Sequence, residues 1–170
     1  MRRVARLTII IVCVAIGAMW VYAFGFSPRE SINKIYDEAW ALQAEERCSE
    51  AREQRAELSD LSTFNINDTA ALAQRADIIE RANSSLESMI NDLEQINIAT
   101  EKGRALVPLW LTDYRTYLDD RDDYVELLRS GTFDRFSETQ VEGVPISERI
   151  GKFAKDNEIR ACIPPFDLVT

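Results

Sequence analysis

The 170-residue chain contains no histidine. Histidine is the most frequent general base and the commonest metal ligand near neutral pH, so its absence removes Ser-His and Cys-His nucleophile pairs and imidazole-held metals. Basic excess is missing too. Residues 27–170 carry 17 of the 20 basic residues and all 29 acidic ones, a balance of −12. Binding to a phosphate backbone rests on clustered Lys and Arg that release counterions, and an acidic body does not supply it. No nucleic-acid partner is expected. No nucleotide-binding, metal-binding or catalytic motif is present either, so the sequence predicts a non-enzyme without a cofactor.

Charge is also absent from Leu7 to Phe26, a run of 20 residues (LTIIIVCVAIGAMWVYAFGF). At about 1.5 Å per residue this run covers a hydrocarbon core of about 30 Å. Arg2, Arg3 and Arg6 precede it and every acidic residue follows. The positive-inside rule therefore predicts a cytoplasmic end at 1–6, a transmembrane signal-anchor at 7–26 in contact with the bilayer, and an extracytoplasmic body at 27–170 of a plasma-membrane protein. Trp20 and Tyr22 suit the outer interface. A cleaved secretory signal is the rival reading, with small residues at Val21-Tyr22-Ala23. The apolar run is longer than the usual signal core of about 7–15 residues, however, and the aromatics sit awkwardly beside a cut. Cys13 follows Val12 rather than the small residue of a lipobox, and it reads as one more small apolar residue in the span.

The body has helical periodicity throughout. Ser27-Pro28 is a helix-start signal. Ile32, Ile35, Tyr36, Ala39, Trp40, Ala44, Cys48, Ala51 and Leu58 then recur mostly at steps of three and four, predicting one helix that ends near Asp60. Turn formers fill 62–68, and Asp68 or Asn67 is placed to cap a second helix from Thr69. In that helix Leu72, Ile79, Leu86 and Leu93 repeat every seven residues, with Ala76, Ala82, Met89, Ile90 and Ile96 completing the core positions. Thr100 to Gly103 predicts a break, with Pro108 in the first turn of a third helix from about Arg104 to Ser130. Its stripe is Val107, Trp110, Leu111, Tyr114, Tyr117, Leu118, Tyr124, Val125 and Leu128, and Gly131 suits the position after its C-cap. An irregular stretch, 132–143, leads to a short helix with Ile150, Phe153 and Ala154 inward, ended by Asn157. Pro164-Pro165 then requires an extended tail. The predicted class is all-α: one N-terminal transmembrane helix, an elongated antiparallel three-helix, coiled-coil-like bundle, a short fourth helix and an extended C-terminal tail.

Five features invite a functional reading, and each has a plainer one. Cys48 and Cys162 are the only cysteines outside the apolar run, and an oxidising compartment favours one intramolecular disulfide between them; a redox-active or intermolecular pair and free thiols are the alternatives. Asp119, Asp120, Asp122 and Asp123 crowd around Arg121, yet a regular helix does not converge oxygens as a glycine-bearing calcium loop does, so they read as a solvated face. Arg121 shares the inner stripe with Tyr114 and Leu128. It either meets an acidic group from the tail or a neighbouring helix, or snorkels at the core edge. Trp40 and Trp110 with Tyr36, Tyr114, Tyr117 and Tyr124 could line a ligand pocket between helices, but at helical spacing such residues are more often core. Asn67-Asp68-Thr69 and Asn83-Ser84-Ser85 match the glycosylation triplet, but the first reads as a helix cap and the second lies on a helix.

Residues 114–168 carry a further pattern: Tyr117-Leu118, Asp120-Arg121, Tyr124, Leu128-Arg129-Ser130-Gly131, Arg135-Phe136, Ile150, Phe153-Ala154, Asn157, Cys162, Pro165 and Asp167. This ensemble resembles a group of single-span, actinobacterial-type membrane proteins of uncharacterised function. The resemblance implies an anchored helical ectodomain with a cysteine-bearing tail and no assigned activity. Three functions follow as expectations. The first is an interaction module with a protein partner in the membrane or envelope, in its specific form an accessory subunit of a larger complex. With six residues inside, any inward signal would need a partner's helix. The second is a small-ligand sensor domain, and the third is an enzyme restricted to carboxylate, tyrosine or lysine chemistry.

Overall fold

The computed structural model describes residues 2–26, 31–58 and 65–168. They form five α-helices, α1 (Arg2–Gly25), α2 (Glu38–Leu58), α3 (Thr69–Glu94), α4 (Glu101–Arg129) and α5 (Ile146–Asp156). A two-residue hairpin, β1 (Gln140–Val141) and β2 (Val144–Pro145), precedes α5, and a 3-10 turn, Arg160–Cys162, follows it. The all-α class holds. The chain divides into two compact units, Met1–Ile32 and Asn33–Thr170.

In the first unit, the window Thr8–Gly25 has mean hydropathy 2.2 and none of it is buried, so α1 is long and apolar enough to cross a membrane. Trp20 and Phe24, one turn apart, stack at 5.0 Å. Cys13 is exposed and free.

In the second unit, α3 packs against both α2 and α4, α5 packs on α4, and the 3-10 turn packs on α2 and α5. The short fourth helix and the tail thus close the bundle between α2 and α4. Side-chain pairs give the directions. Arg115 meets Glu94, Arg121 meets Asn83 and Arg129 meets Glu80, so α3 and α4 are antiparallel. Ser85 reaches Ala51 while Ala99 reaches Asp37, so α2 is antiparallel to α3. Leu72, Ile79, Leu86 and Leu93 are all buried, because a seven-residue repeat keeps one face of α3 turned inward. One core cluster gathers Leu86, Leu93, Trp40, Trp110 and Phe153; a second joins Leu72, Ile79, Tyr124, Leu128 and Leu168. Leu86→Ala is expected to cost about 3 kcal/mol through lost transfer energy and a residual cavity. Urea unfolding of residues 27–170 checks it, and a loss within about 0.5 kcal/mol, the surface range, would refute the burial.

Several element boundaries differ from the sequence reading. Ser27 and Pro28 lie outside the described residues, but 31–37 is not helical and α2 begins only at Glu38. Tyr36 adopts φ 55° and stays exposed rather than joining an inner stripe. The cause is Asp37. Its carboxylate accepts the Trp40 N–H at 3.1 Å, capping α2, and also the Ala99 and Thr100 N–H groups at 2.7 and 3.1 Å. Burial by itself would raise the Asp37 pKa, but these three donors outweigh it and hold the carboxyl below its ordinary value. Asp37→Ala removes a cap and leaves two loop donors without their acceptor. About 2–4 kcal/mol of destabilisation is expected, with Asp37→Asn less damaging in the same urea titration.

The break before α4 also lies earlier than predicted. Thr100 is the N-cap, its hydroxyl accepting from Gly103 N–H at 3.0 Å, so Gly103 belongs to the first turn. Pro108 sits inside α4 rather than in its first turn. It removes the donor to the Arg104 carbonyl, and both residues are exposed, so water can serve that carbonyl. Asp68 caps α3 as the sequence suggests, accepting from Ala70 and Ala71. Gly131, at φ 80°, ends α4. Within the irregular 132–143 stretch, Glu142 and Gly143, both at positive φ, turn the small hairpin. The tail is not extended from its start: a 3-10 turn comes first, and Ile163 then takes φ −70° and ψ 133°.

The two ends of this unit are stitched together. Asn33 Nδ2 donates to Asp156 at 3.1 Å, Lys34 pairs with Glu158 at 2.7 Å, and the Ile35 N–H donates to Asn157 Oδ1 at 2.9 Å. Asn157 Nδ2 returns a bond to the Asn33 carbonyl at 3.0 Å.

Candidate functional site

Tyr114, Tyr117 and Arg121 follow one another at steps of three and four, so they leave the same face of α4. All three are at most 3% exposed, and what covers them is the tail. The Tyr114 hydroxyl donates to the Cys162 carbonyl at 2.6 Å, and the Tyr117 hydroxyl to the Pro165 carbonyl at 2.9 Å. Arg121 forks onto the Asp167 carboxylate, Nη1 to Oδ1 at 2.7 Å and Nη2 to Oδ2 at 3.0 Å. Its Nε donates to Asn83 Oδ1 of α3 at 2.6 Å, and Asn83 Nδ2 donates to Asp122 at 2.7 Å. The guanidinium carbon lies 5.7 Å from the centre of the Tyr117 ring. From the other side, Arg75 Nη2 donates to the Asp167 carbonyl at 2.9 Å.

The charges follow from this arrangement. Burial pushes Asp167 up, but the Arg121 hydrogen bonds and charge outweigh it and leave the carboxyl below its ordinary value. Burial likewise opposes the Arg121 cation, and Asp167 more than compensates. Burial raises both the Tyr114 and the Tyr117 hydroxyl pKa, so both are neutral donors at physiological pH. Arg55 of α2 is buried nearby, and burial is the main reason its pKa falls below the usual arginine value.

The disulfide joins Cys48 to Cys162, with Cα atoms 5.0 Å apart and both residues fully buried. It fixes the tail to the middle of α2, where the Ala161 N–H also donates to Glu45 at 2.9 Å. Trp40 and Trp110 meet edge to face at 5.9 Å, Trp110 meets Tyr114 in the same way at 5.4 Å, and Phe153 stacks on Trp110 at 4.9 Å. Trp110 Nε1 donates to the Ile150 carbonyl. These rings therefore fill one another's space. Tyr117 lies apart, edge-on to Phe136 at 6.1 Å.

Among the acidic run, Asp120 accepts from both the N–H and the hydroxyl of Thr139, tying down the loop before the hairpin, while Asp119, Asp122 and Asp123 are exposed. Among the described residues no three Asp, Glu, Cys or His side chains are grouped to hold a metal ion. Asn83 is 3% exposed and bonded on both sides, so its triplet cannot present a glycan acceptor in the folded chain.

Sequence reasoning named Asn83 only in a glycosylation triplet and Asp167 only in the pattern over 114–168, missed the contacts both make with Arg121, and did not name Arg55. Of these, Asn83 and Arg55 leave a local signal: Asn83 interrupts the inner face of α3 one turn before Leu86, and Arg55 takes the next slot after Ala44, Cys48 and Ala51. No known protein-family model, curated protein or solved structure matches the chain.

Proposed function

We propose that the protein is a membrane-anchored, extracytoplasmic helical interaction module, an accessory or structural component of a cell-envelope or membrane complex. The observation that carries this reading is the apolar, unburied Thr8–Gly25 window of α1, with three arginines on its N-terminal side and all the acidic residues after it. Such a body resides outside a plasma membrane, where a buried disulfide is at home. The likeness of residues 114–168 to single-span membrane proteins belongs to the same proposal. Interior aromatics that pack against each other support a binding surface over an internal ligand chamber.

Protease added outside intact spheroplasts is expected to degrade residues 28–170 and leave the anchor in the membrane fraction. A soluble mature chain starting near Phe24 would overturn the anchor. Co-purification from mildly solubilised membranes is expected to recover a second membrane or envelope protein at constant ratio.

One observation favours the small-ligand reading, at a place other than the ring cluster. A surface cleft of about 650 Å³ lies beside Lys34, Tyr36, Glu38, Leu42 and Glu45, a size common for small-molecule sites. A saturable ligand-dependent change in tryptophan fluorescence, lost in Tyr36→Ala, would support that alternative.

A further inference from the structure

The tail is held as a bound peptide is held. After Cys162, its anchors are contacts from helix side chains: the Tyr117 hydroxyl on the Pro165 carbonyl, the Arg121 fork on the Asp167 carboxylate, and Arg75 on the Asp167 carbonyl. Leu168, 5% exposed, fills an apolar socket that includes Leu72 and Leu128. Pro164 points inward and is buried, whereas Phe166 is 74% exposed. The Ile163 backbone is that of a polyproline segment, and two prolines follow it, so the strand is pre-shaped and loses little entropy on docking. A bidentate guanidinium reads a carboxylate and a socket reads the next side chain, which together define a sequence preference, while the tyrosine hydroxyl on a main-chain carbonyl sets the register.

We propose that this face of α3 and α4 is a peptide-binding groove whose resident occupant is the chain's own tail, and that it accepts in trans an extended partner segment of the pattern Pro-x-Asp-Leu. The covalent tie at Cys162 keeps the resident tail at high local concentration, so the groove is self-occupied until a partner segment outcompetes it. The tail is in that sense an autoinhibitory strap. The Asp167 side chain keeps 37% of its surface open, which leaves the fork accessible from the rim. The partner's role as described here rests on the interaction-module reading; the groove's preference for such a segment does not.

The test uses the full-length chain in mild detergent and a fluorescein-labelled, C-terminally amidated peptide, Ile-Pro-Pro-Phe-Asp-Leu, followed by anisotropy. A double variant, Asp167→Asn with Leu168→Ala, weakens the resident strap and is expected to bind the probe at least tenfold more tightly than the unaltered chain. A probe with Asn in place of Asp should bind that variant at least tenfold more weakly. Unsaturable signals with both chains, or equal affinity for the two probes, would overturn the groove. As a check that does not depend on the variant folding, millimolar probe added to the unaltered chain should speed amide exchange at 166–168 and leave Leu86 and Leu93 unchanged; no change in the tail amides overturns exchange in trans. Failure to recover any co-purifying protein would count against the interaction module while leaving peptide binding in place, so the two ideas fail separately.

Discussion

Arg121→Ala is expected to lower the unfolding free energy by about 3–5 kcal/mol, the range for breaking a buried ion pair. The guanidinium is fully buried and supplies the bonds that hold Asp167 and Asn83. Its loss removes a large side chain from the interior, frees the tail carboxylate and leaves the Asn83 oxygen without its donor. Asp167→Asn should cost less, about 1–2 kcal/mol, because the carboxylate sits at a rim that water reaches and screens. Replacing both charges with apolar residues, Arg121→Met with Asp167→Leu, should recover part of the loss, as apolar replacements of ion pairs commonly do, while the Asn83 oxygen stays without its donor. The pH dependence has a definite sign. Asp167 has a folded pKa below the ordinary aspartate value of 3.8, so its stabilisation is complete above the unfolded value and fades as pH falls from there through the folded value. Urea titrations of residues 27–170 at pH 7 and pH 3 measure both effects. An Arg121→Ala penalty within about 0.5 kcal/mol would mean that the fork does not hold the tail.

Removing the disulfide with Cys48→Ala and Cys162→Ala is expected to cost about 3–5 kcal/mol. The bond spans 114 residues, and the chain-entropy treatment gives close to 5 kcal/mol as an upper figure for such a loop. Both cysteines are fully buried, so a thiol reductant must wait for the tail to open and the double variant is the cleaner comparison. The loss should be unevenly distributed. The amides of Ile163, Phe166, Asp167 and Leu168 should lose nearly all exchange protection, whereas those near Leu86 and Leu93 should fall only by the global decrement, because the α3–α4 seam does not need the bond. Peptide mapping that found Cys48 and Cys162 free, or joined to another chain, would remove the basis for this expectation.

Those residues also mark how far the sequence is legible. The α3 core can be read directly because Leu72, Ile79, Leu86 and Leu93 repeat at one period, and local periodicity is all a helix needs to choose its inner face. The Cys48–Cys162 pairing is legible by elimination, since the apolar run holds the third cysteine. The start of α2 is not, since Asp37 takes its decisive partners 62 and 63 residues away at Ala99 and Thr100. Arg121 is legible as an inward residue, but its partner is not. Asp167 arrives from a segment without periodicity, positioned by a crosslink and two tyrosine hydroxyls. Arg55 and Asn83 read locally as interruptions of an apolar stripe, and only the assembled bundle gives those interruptions an electrostatic purpose.

The stitching of 33–35 to 156–158 has a consequence for how the protein is made. Synthesis delivers Ile35 and Asp37 early and Asn157 and Cys162 late. The α3–α4 hairpin can form from contiguous chain, but α2 stays without its closing partners until residues 156–162 have been made. Completion of this unit is therefore a late event in its biogenesis. During that interval Cys48 waits as an unpaired thiol beside an apolar surface, so the oxidation that closes the Cys48–Cys162 bond acts on a half-built bundle rather than on a nascent helix.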